Sequence, residues 1–190
     1  RIRSRGLGDV YKRQNLLSDE IISFVSTSKK FVHHFHIPLQ SGSDSILRLM
    51  RRRYDSKLYK SRIEKINKLM PDACIGVDVI VGFPGENDDL FLESLNFLDS
   101  LNVSYFHVFT YSERDNTHAI SLPNIVEPNV RTKRSKLLRL LSSKKKASFY
   151  ERNRGSIQDV LFESEEKNGY IEGFSSNYIR FRRPWDPSIV

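Results

Sequence analysis

The sequence predicts an α/β chain in which a parallel sheet is followed by a basic helix and a small β unit. Three observations carry this. Apolar runs of strand length alternate with amphipathic helical stretches between residues 31 and 111. A long lysine- and arginine-rich stretch with helical spacing comes next, and three short strand-like runs separated by turn residues follow it.

The elements are justified in chain order. A helix begins at Ser18 or Asp19, where Asp19 and Glu20 favour the positive end of the helix dipole. FVHHFHIPLQ (31–40) reads as a strand that stops at Pro38. SDSILRLMRR (43–52) reads as a helix with Ser43 as its N-cap and Ile46, Leu47 and Met50 on one side. In DSKLYKSRIEKINKLM (55–70), Leu58, Tyr59, Ile63, Ile66, Leu69 and Met70 recur at helical spacing, and Pro71 ends the pattern. IGVDVIV (75–81) is nearly continuously apolar, as a strand buried on both faces of a parallel sheet is. A further helix, NDDLFLESLNFLDSL (87–101), and a strand, SYFHVFTY (104–111), complete a β-α-β-α-β order, which argues for parallel strands joined by right-handed crossovers.

After Tyr111 the character changes. SERDNTHAISLPNIVEPN is polar and punctuated by proline, and reads as a loop or linker. VRTKRSKLLRLLSSKKKASFYERNRG reads as one long helix with Leu137, Leu138, Leu141, Ser148 and Phe149 as its inner stripe and the cations outside. SIQDVLFESEEKNGYIEGFSSNYIRFRR supplies three short strands, with Asn168-Gly169 as a hairpin turn, and begins a small β-barrel or sheet.

Composition narrows the classes. The 190 residues hold a single cysteine, Cys74, so no disulfide framework exists and one thiol cannot hold zinc or an iron–sulfur cluster alone. No apolar run is long enough to cross a bilayer, and no apolar h-region follows the first basic residues, so a cytoplasmic protein is expected. The net charge of +8 is local: residues 131–154 carry ten Lys or Arg and one acid, and residues 1–14 carry five basic residues and one acid. Everything outside these two stretches is net acidic. Local basicity is the footprint of nucleic-acid binding, and equally of a solvated helix face.

Three strands end in distinctive loops, PLQSGSD (38–44), GFPGE (82–86) and TYSERDNTHA (110–119). Loops at the carboxyl ends of parallel strands converge on one site. Gln40, Ser41 and Ser43 offer amide and hydroxyl groups there, suited to a ribose or a carboxylate, while Gly42 permits close backbone approach. The N–H groups around Gly82 and Gly85 either face a ligand or make a tight turn; no Gly-Lys-Ser/Thr follows, so this is not a P-loop. Asp78 shares a face with Ile80 and Gly82 by strand alternation, and it either faces a ligand or sits in an internal ion pair. Tyr111 either stacks on a nucleobase or packs as an interfacial tyrosine. His33, His34, His36 and His107 show no metal-ligand spacing and read as packing or surface residues, so no metal ligand is assigned. Cys74 reads as an inert core thiol.

HFHIPLQSGSDSILRLMRRRY, DVIVGFPGE, VFTYSERDNTHA and the basic helix leading to GYIEGFSSNYIRF together resemble one family over residues 15–190. They are similar to the second half of the radical S-adenosylmethionine methylthiotransferases, and within them to the bacterial subgroup that modifies threonylcarbamoyladenosine beside the tRNA anticodon. The resemblance implies the C-terminal half of a radical SAM partial (β/α) barrel over 15–120, a linker and basic helix over 121–154, and an incomplete TRAM-like β domain over 155–190. It implies S-adenosylmethionine and two 4Fe-4S clusters as cofactors of the parent enzyme, and tRNA as its partner. One cluster cleaves S-adenosylmethionine to a radical and the other takes part in sulfur insertion. Gln40, Ser41, Gly82, Phe83 and Tyr111 would border the cofactor and Asp78 the substrate. Arg131, Lys133, Arg134, Lys144, Lys145, Lys146 and Arg180 would meet RNA, mostly through phosphates.

The departures matter. The CxxxCxxC motif is absent, so nothing here can ligate a cluster, and the chain is expected to be inactive alone. Asn116 and His118 stand in DNTHA, where the family has a Gly-Thr-Pro-Ala run. Rival readings are a sibling methylthiotransferase acting on isopentenyladenosine or a ribosomal protein, the oxygen-independent haem-pathway oxidase, and an RNA-binding module without catalysis. Residues 1–14 read as non-native: DVYKRQ is what GAT GTG TAT AAG AGA CAG encodes, which resembles a transposon mosaic end used to prepare sequencing libraries. Such a tail should pack against nothing specific.

Overall fold

The computed structural model describes residues 17–186, so the expectation for residues 1–14 lies outside the described residues. Helix α1 (Asp19–Thr27) precedes strand β1 (His34–His36), and helices α2 (Asp44–Leu49) and α3 (Ser56–Leu69) lead to β2 (Cys74–Val81). Helix α4 (Asp88–Ser100) then returns the chain to β3 (Tyr105–Thr110). The three strands form one parallel sheet in the order β1-β2-β3, with His36 opposite Gly76 and Asp78 opposite His107.

Alternation gives this sheet one dry face. Val77, Val79 and Val81 of β2 and Phe106 and Val108 of β3 are buried beneath the helices. Tyr59, Ile63 and Ile66 of α3 and Leu98 of α4 pack on them. The Tyr59 hydroxyl, deep in this core, donates to the Ile37 carbonyl at 2.7 Å. Helix α3 starts where expected because Asp55 caps it, accepting from Leu58 N–H at 2.7 Å.

Pairing does not stop at Pro38. The Leu39 and Gln40 N–H groups both donate to the Asp78 carbonyl, and Gln40 bridges to Val79. Proline lacks only its own N–H, and here the neighbouring groups carry the ladder past it.

Helix α5 (Pro128–Arg152) packs along β3. Its Ser142 hydroxyl donates to the Phe106 carbonyl and accepts from the Phe106 N–H. The inner stripe differs from the expected one: Leu138 and Phe149 are buried, but Leu137 is half exposed and Ser148 is exposed. Arg131, Arg134 and Ser135 occupy the buried helical positions instead. A stripe built partly from paired polar residues is invisible to an apolar period.

Strands β4 (Val160–Lys167), β5 (Tyr170–Ser175) and β6 (Arg180–Pro184) form an antiparallel meander. Asn168 and Gly169 join β4 to β5 with φ of 55° and 78°, the left-handed pair that a two-residue turn requires. This sheet docks on the parallel one through the β5–β6 turn. The fully buried Asn177 donates to the Asp72 carbonyl (3.1 Å), and Tyr178 stacks on His34 with ring centroids 4.0 Å apart. No helix among the described residues is long and apolar enough to cross a membrane.

Candidate functional site

The carboxyl ends of β2 and β3 and the end of α2 enclose a cleft of about 460 Å³. Its floor is Ile80, Phe83 and Tyr111, and Arg51, Arg52, Arg114 and His118 make part of its lining basic. Phe83 meets Tyr111 edge-on with centroids 5.3 Å apart, and the Arg131 guanidinium lies 5.3 Å from the Tyr111 ring centre. The Tyr111 hydroxyl is buried with no hydrogen-bond partner among the described residues. Such a group costs roughly 1–3 kcal/mol until something pairs with it.

The GFPGE turn sets Phe83 in place. Gly82 and Gly85 have φ of 75° and 89°, and both N–H groups are engaged inside the protein. Gly82 donates to Glu86 Oε1 (2.9 Å) and Gly85 to the Asn124 carbonyl (2.9 Å). The tight-turn reading therefore holds, and these amides do not face a ligand. Asn116 takes φ of 62°, a left-handed conformation that asparagine tolerates, so the DNTHA segment accommodates its departure from glycine.

Gln40 and Ser41 do not line this cleft. Gln40 has φ of 77° and its carbonyl accepts from the Ile80 N–H, while the buried Ser41 hydroxyl accepts from the Ser43 N–H at 3.2 Å. Gly42 is close to a helix rather than a ligand, with its N–H on Ser94 Oγ at 2.8 Å. The Ser43 side chain does not cap α2; its hydroxyl donates to Glu93 at 2.7 Å.

Beneath this turn two arginines of α5 point inward. Arg134 donates to the Glu86 carbonyl (2.9 Å), to Glu86 Oε1 (2.8 Å) and to Asp88 Oδ1 (2.6 Å). Arg131 donates to the carbonyls of Val126 (2.6 Å) and Tyr111 (3.0 Å) and to Glu113 Oε1 (2.6 Å). Burial pushes the Glu86 carboxyl up, and the Gly82 N–H and Arg134 oppose that shift. Lys145 is engaged as well, donating to the carbonyls of Asp99 and Leu101 at the end of α4 (2.6 and 2.7 Å). Arg131, Arg134 and Lys145 thus hold the fold together rather than presenting charge to RNA, which corrects the expectation for these three. Lys133, Lys144, Lys146 and Arg180 are exposed, and Arg180 is ion-paired with Glu172 of the neighbouring strand.

The other face of the parallel sheet is open, and His36, Asp78, Tyr105 and His107 lie on it. His36 Nε2 and Asp78 Oδ1 are 2.7 Å apart, and this hydrogen bond raises the His36 pKa. Asp78 thus has a hydrogen-bond partner within the sheet and still emerges on its open face. Burial and the neighbouring imidazoles push His34 down to about 4, and it accepts or shares a hydrogen bond with the Tyr105 hydroxyl at 3.1 Å. A second cleft of about 550 Å³ opens here, lined by His34, His36, His107, Lys146, Tyr178 and Arg180 among others. One ligating atom from each of His36, Asp78 and His107 lies within 4.8 Å of the others, a grouping that the sequence reading of the histidines missed. The three come from three strands, so only the register brings them together.

Cys74 is buried and its thiol is pushed up to about 11, so it does not fit an iron–sulfur cluster.

Comparison with known proteins fixes the family. Residues 14–98 match the radical SAM superfamily. Threonylcarbamoyladenosine tRNA methylthiotransferase MtaB of Bacillus subtilis is 38% identical over 169 residues, 86% of this chain and 37% of that protein. The chain belongs to the radical SAM methylthiotransferase family. A tRNA-2-methylthio-N(6)-dimethylallyladenosine synthase of Vesicomyosocius okutanii subsp. Calyptogena okutanii is 39% identical over 177 residues, 93% of this chain and 40% of that protein. The chain thus spans about two-fifths of the length of these relatives. Among solved structures, coproporphyrinogen III oxidase (HemN) of Escherichia coli, described as a radical SAM enzyme, aligns with a TM-score of 0.51 at 13% identity. It covers 74% of this chain and 31% of its own, a likeness of fold alone. The haem-pathway rival therefore shares the architecture, while the sequence relationship is to the tRNA enzymes.

Proposed function

We propose that this chain is the part of a tRNA methylthiotransferase that receives S-adenosylmethionine in the 460 Å³ cleft and a modified adenosine on the open face of the sheet. Phe83 and Tyr111 would hold the adenine, and the unpartnered Tyr111 hydroxyl would gain its hydrogen bond. When bound, S-adenosylmethionine supplies the methyl group and, in this superfamily, a radical. Gln40 and Ser41 act from behind, by fixing the loop that starts α2. No cluster step is assigned to this chain, because its one cysteine does not fit.

The modified base is threonylcarbamoyladenosine. The observation that carries this reading is the lining of the second cleft, where Lys146 and Arg180, the latter ion-paired with Glu172, line one space with His36 and His107. A threonylcarbamoyl substituent ends in a carboxylate, which these cations can meet; a dimethylallyl substituent is apolar and cannot use them. Lys133 and Lys144, exposed on the outer side of α5, would meet phosphates, adding a salt-sensitive term.

Fluorescence anisotropy with anticodon stem-loop RNAs tests the reading. The RNA bearing threonylcarbamoyladenosine is expected to bind about tenfold tighter than the dimethylallyl RNA, equivalent to about 1.4 kcal/mol. Replacing Lys146 and Arg180 by alanine should abolish that preference while leaving salt-dependent binding through α5. Preference for the dimethylallyl RNA would assign the sibling substrate. Equal affinity for both, unchanged by those replacements, would leave only an RNA-binding module.

A further inference from the structure

Two imidazoles and a carboxylate on three neighbouring strands make a donor set that neither adenine stacking nor phosphate contact uses. We propose that His36, Asp78 and His107 bind one divalent transition-metal ion, of the zinc or cobalt type, on the open face of the parallel sheet. The ion's remaining coordination positions open onto the second cleft, where water or an oxygen anion would complete them.

The fold supplies the positioning. Asp78 and His107 are directly opposite in the β2–β3 ladder, and His36 lies on the other side of β2. The central strand is clamped from beneath by the fully buried Val77 and Val79, which fixes where the Asp78 carboxylate emerges. The His36 and His107 rings are nearly parallel, with centroids 5.2 Å apart and 14° between planes. Two imidazoles held this close would repel if both were protonated, whereas a shared cation removes that conflict. His36 and Asp78 are now joined across 2.7 Å by a hydrogen bond, and a metal ion takes the place of that proton.

The chemistry of the set selects the ion. Two nitrogens and one oxygen suit zinc, cobalt or ferrous iron, and are a poor match for calcium or magnesium, which take oxygen ligands. With bonds of about 2.0–2.1 Å, donors on a tetrahedral ion stand about 3.3 Å apart. Donors spread over at most 4.8 Å reach that spacing by side-chain rotation. The His107 side chain is exposed, with its ring edge-on to Tyr105.

This inference does not rest on the tRNA reading, because its readout is metal uptake by the chain itself. The chain, treated with chelator and then freed of it, is titrated with Co²⁺ and followed by its visible d–d absorption, with Zn²⁺ as competitor. One Co²⁺ per chain is expected, displaced by Zn²⁺. His107→Ala and Asp78→Asn should each weaken binding at least tenfold, with circular dichroism unchanged. His33→Ala and Cys74→Ala should bind like the parent chain. Zinc should also raise the melting temperature of the parent chain and not that of His107→Ala. Undiminished binding in His107→Ala, less than half an ion per chain, or loss of binding only in Cys74→Ala would each overturn the proposal.

Discussion

Replacing Arg134 by methionine is expected to lower the unfolding free energy by about 3–5 kcal/mol, read from urea denaturation. Methionine fills much of the same space, so the loss is electrostatic. Arg134 is nearly inaccessible and donates to a Glu86 carboxylate that is only 4% exposed. Removing the guanidinium leaves that carboxylate buried with the Gly82 N–H as its remaining hydrogen-bond donor. The variant also acquires a pH dependence with a definite sign. Glu86 already titrates above its ordinary value of 4.5 in the folded protein, because burial disfavours its charge. The folded state therefore binds more protons than the unfolded chain above pH 4.5, and stability falls as pH rises through the folded pKa. Without Arg134 that pKa rises further, so the deficit of Arg134→Met should be larger at pH 8 than at pH 5. An equal deficit at both would mean that Glu86 is not the group left uncompensated.

Gly82→Ala is the second large effect, about 2–4 kcal/mol, and Gly155→Ala is its control. Both glycines sit at left-handed φ, 75° and 79°, so each alanine incurs roughly 1 kcal/mol or more of backbone strain. At Gly155 a Cβ meets nothing within 4 Å. At Gly82 it falls on Arg131 Cγ, with Cδ at 2.9 Å, in a side chain fixed at its far end by three hydrogen bonds. The difference between the two substitutions isolates this overlap. Because Arg131 also holds the Tyr111 carbonyl, Gly82→Ala should disturb the aromatic cleft, whereas Gly155→Ala should not.

Much of this architecture was legible in the residues. Tyr59, Ile63 and Ile66 recur at helical spacing and do pack on the sheet, and the apolar run 75–81 is the central parallel strand. Asn168-Gly169 announced its turn. Other features were hidden for definite reasons. The buried side of α5 carries Arg131, Arg134 and Ser135, residues whose polarity mimics a surface and whose partners, Glu86 and Glu113, are remote in sequence. A charge count could not separate them from Lys133 and Lys144, which do face outward. Phe83 and Tyr111 could be placed at strand ends, yet Gln40 and Ser41, equally well placed by sequence, turn out to brace the loop. His36, Asp78 and His107 fall on one face by alternation alone, but their meeting depends on a register that no local pattern specifies.

Saturation-transfer NMR of the full chain with S-adenosylmethionine tests the central claim most directly, since it reads weak binding. The account predicts saturable transfer to the adenine protons, strongly reduced in Tyr111→Ala and retained in Lys133→Ala. It also predicts no 5′-deoxyadenosine after treatment with iron, sulfide and reductant. Absence of transfer to adenine, or transfer undiminished in Tyr111→Ala, would contradict the assignment of the cleft, and cleavage of the cofactor by this chain would contradict the reading of Cys74.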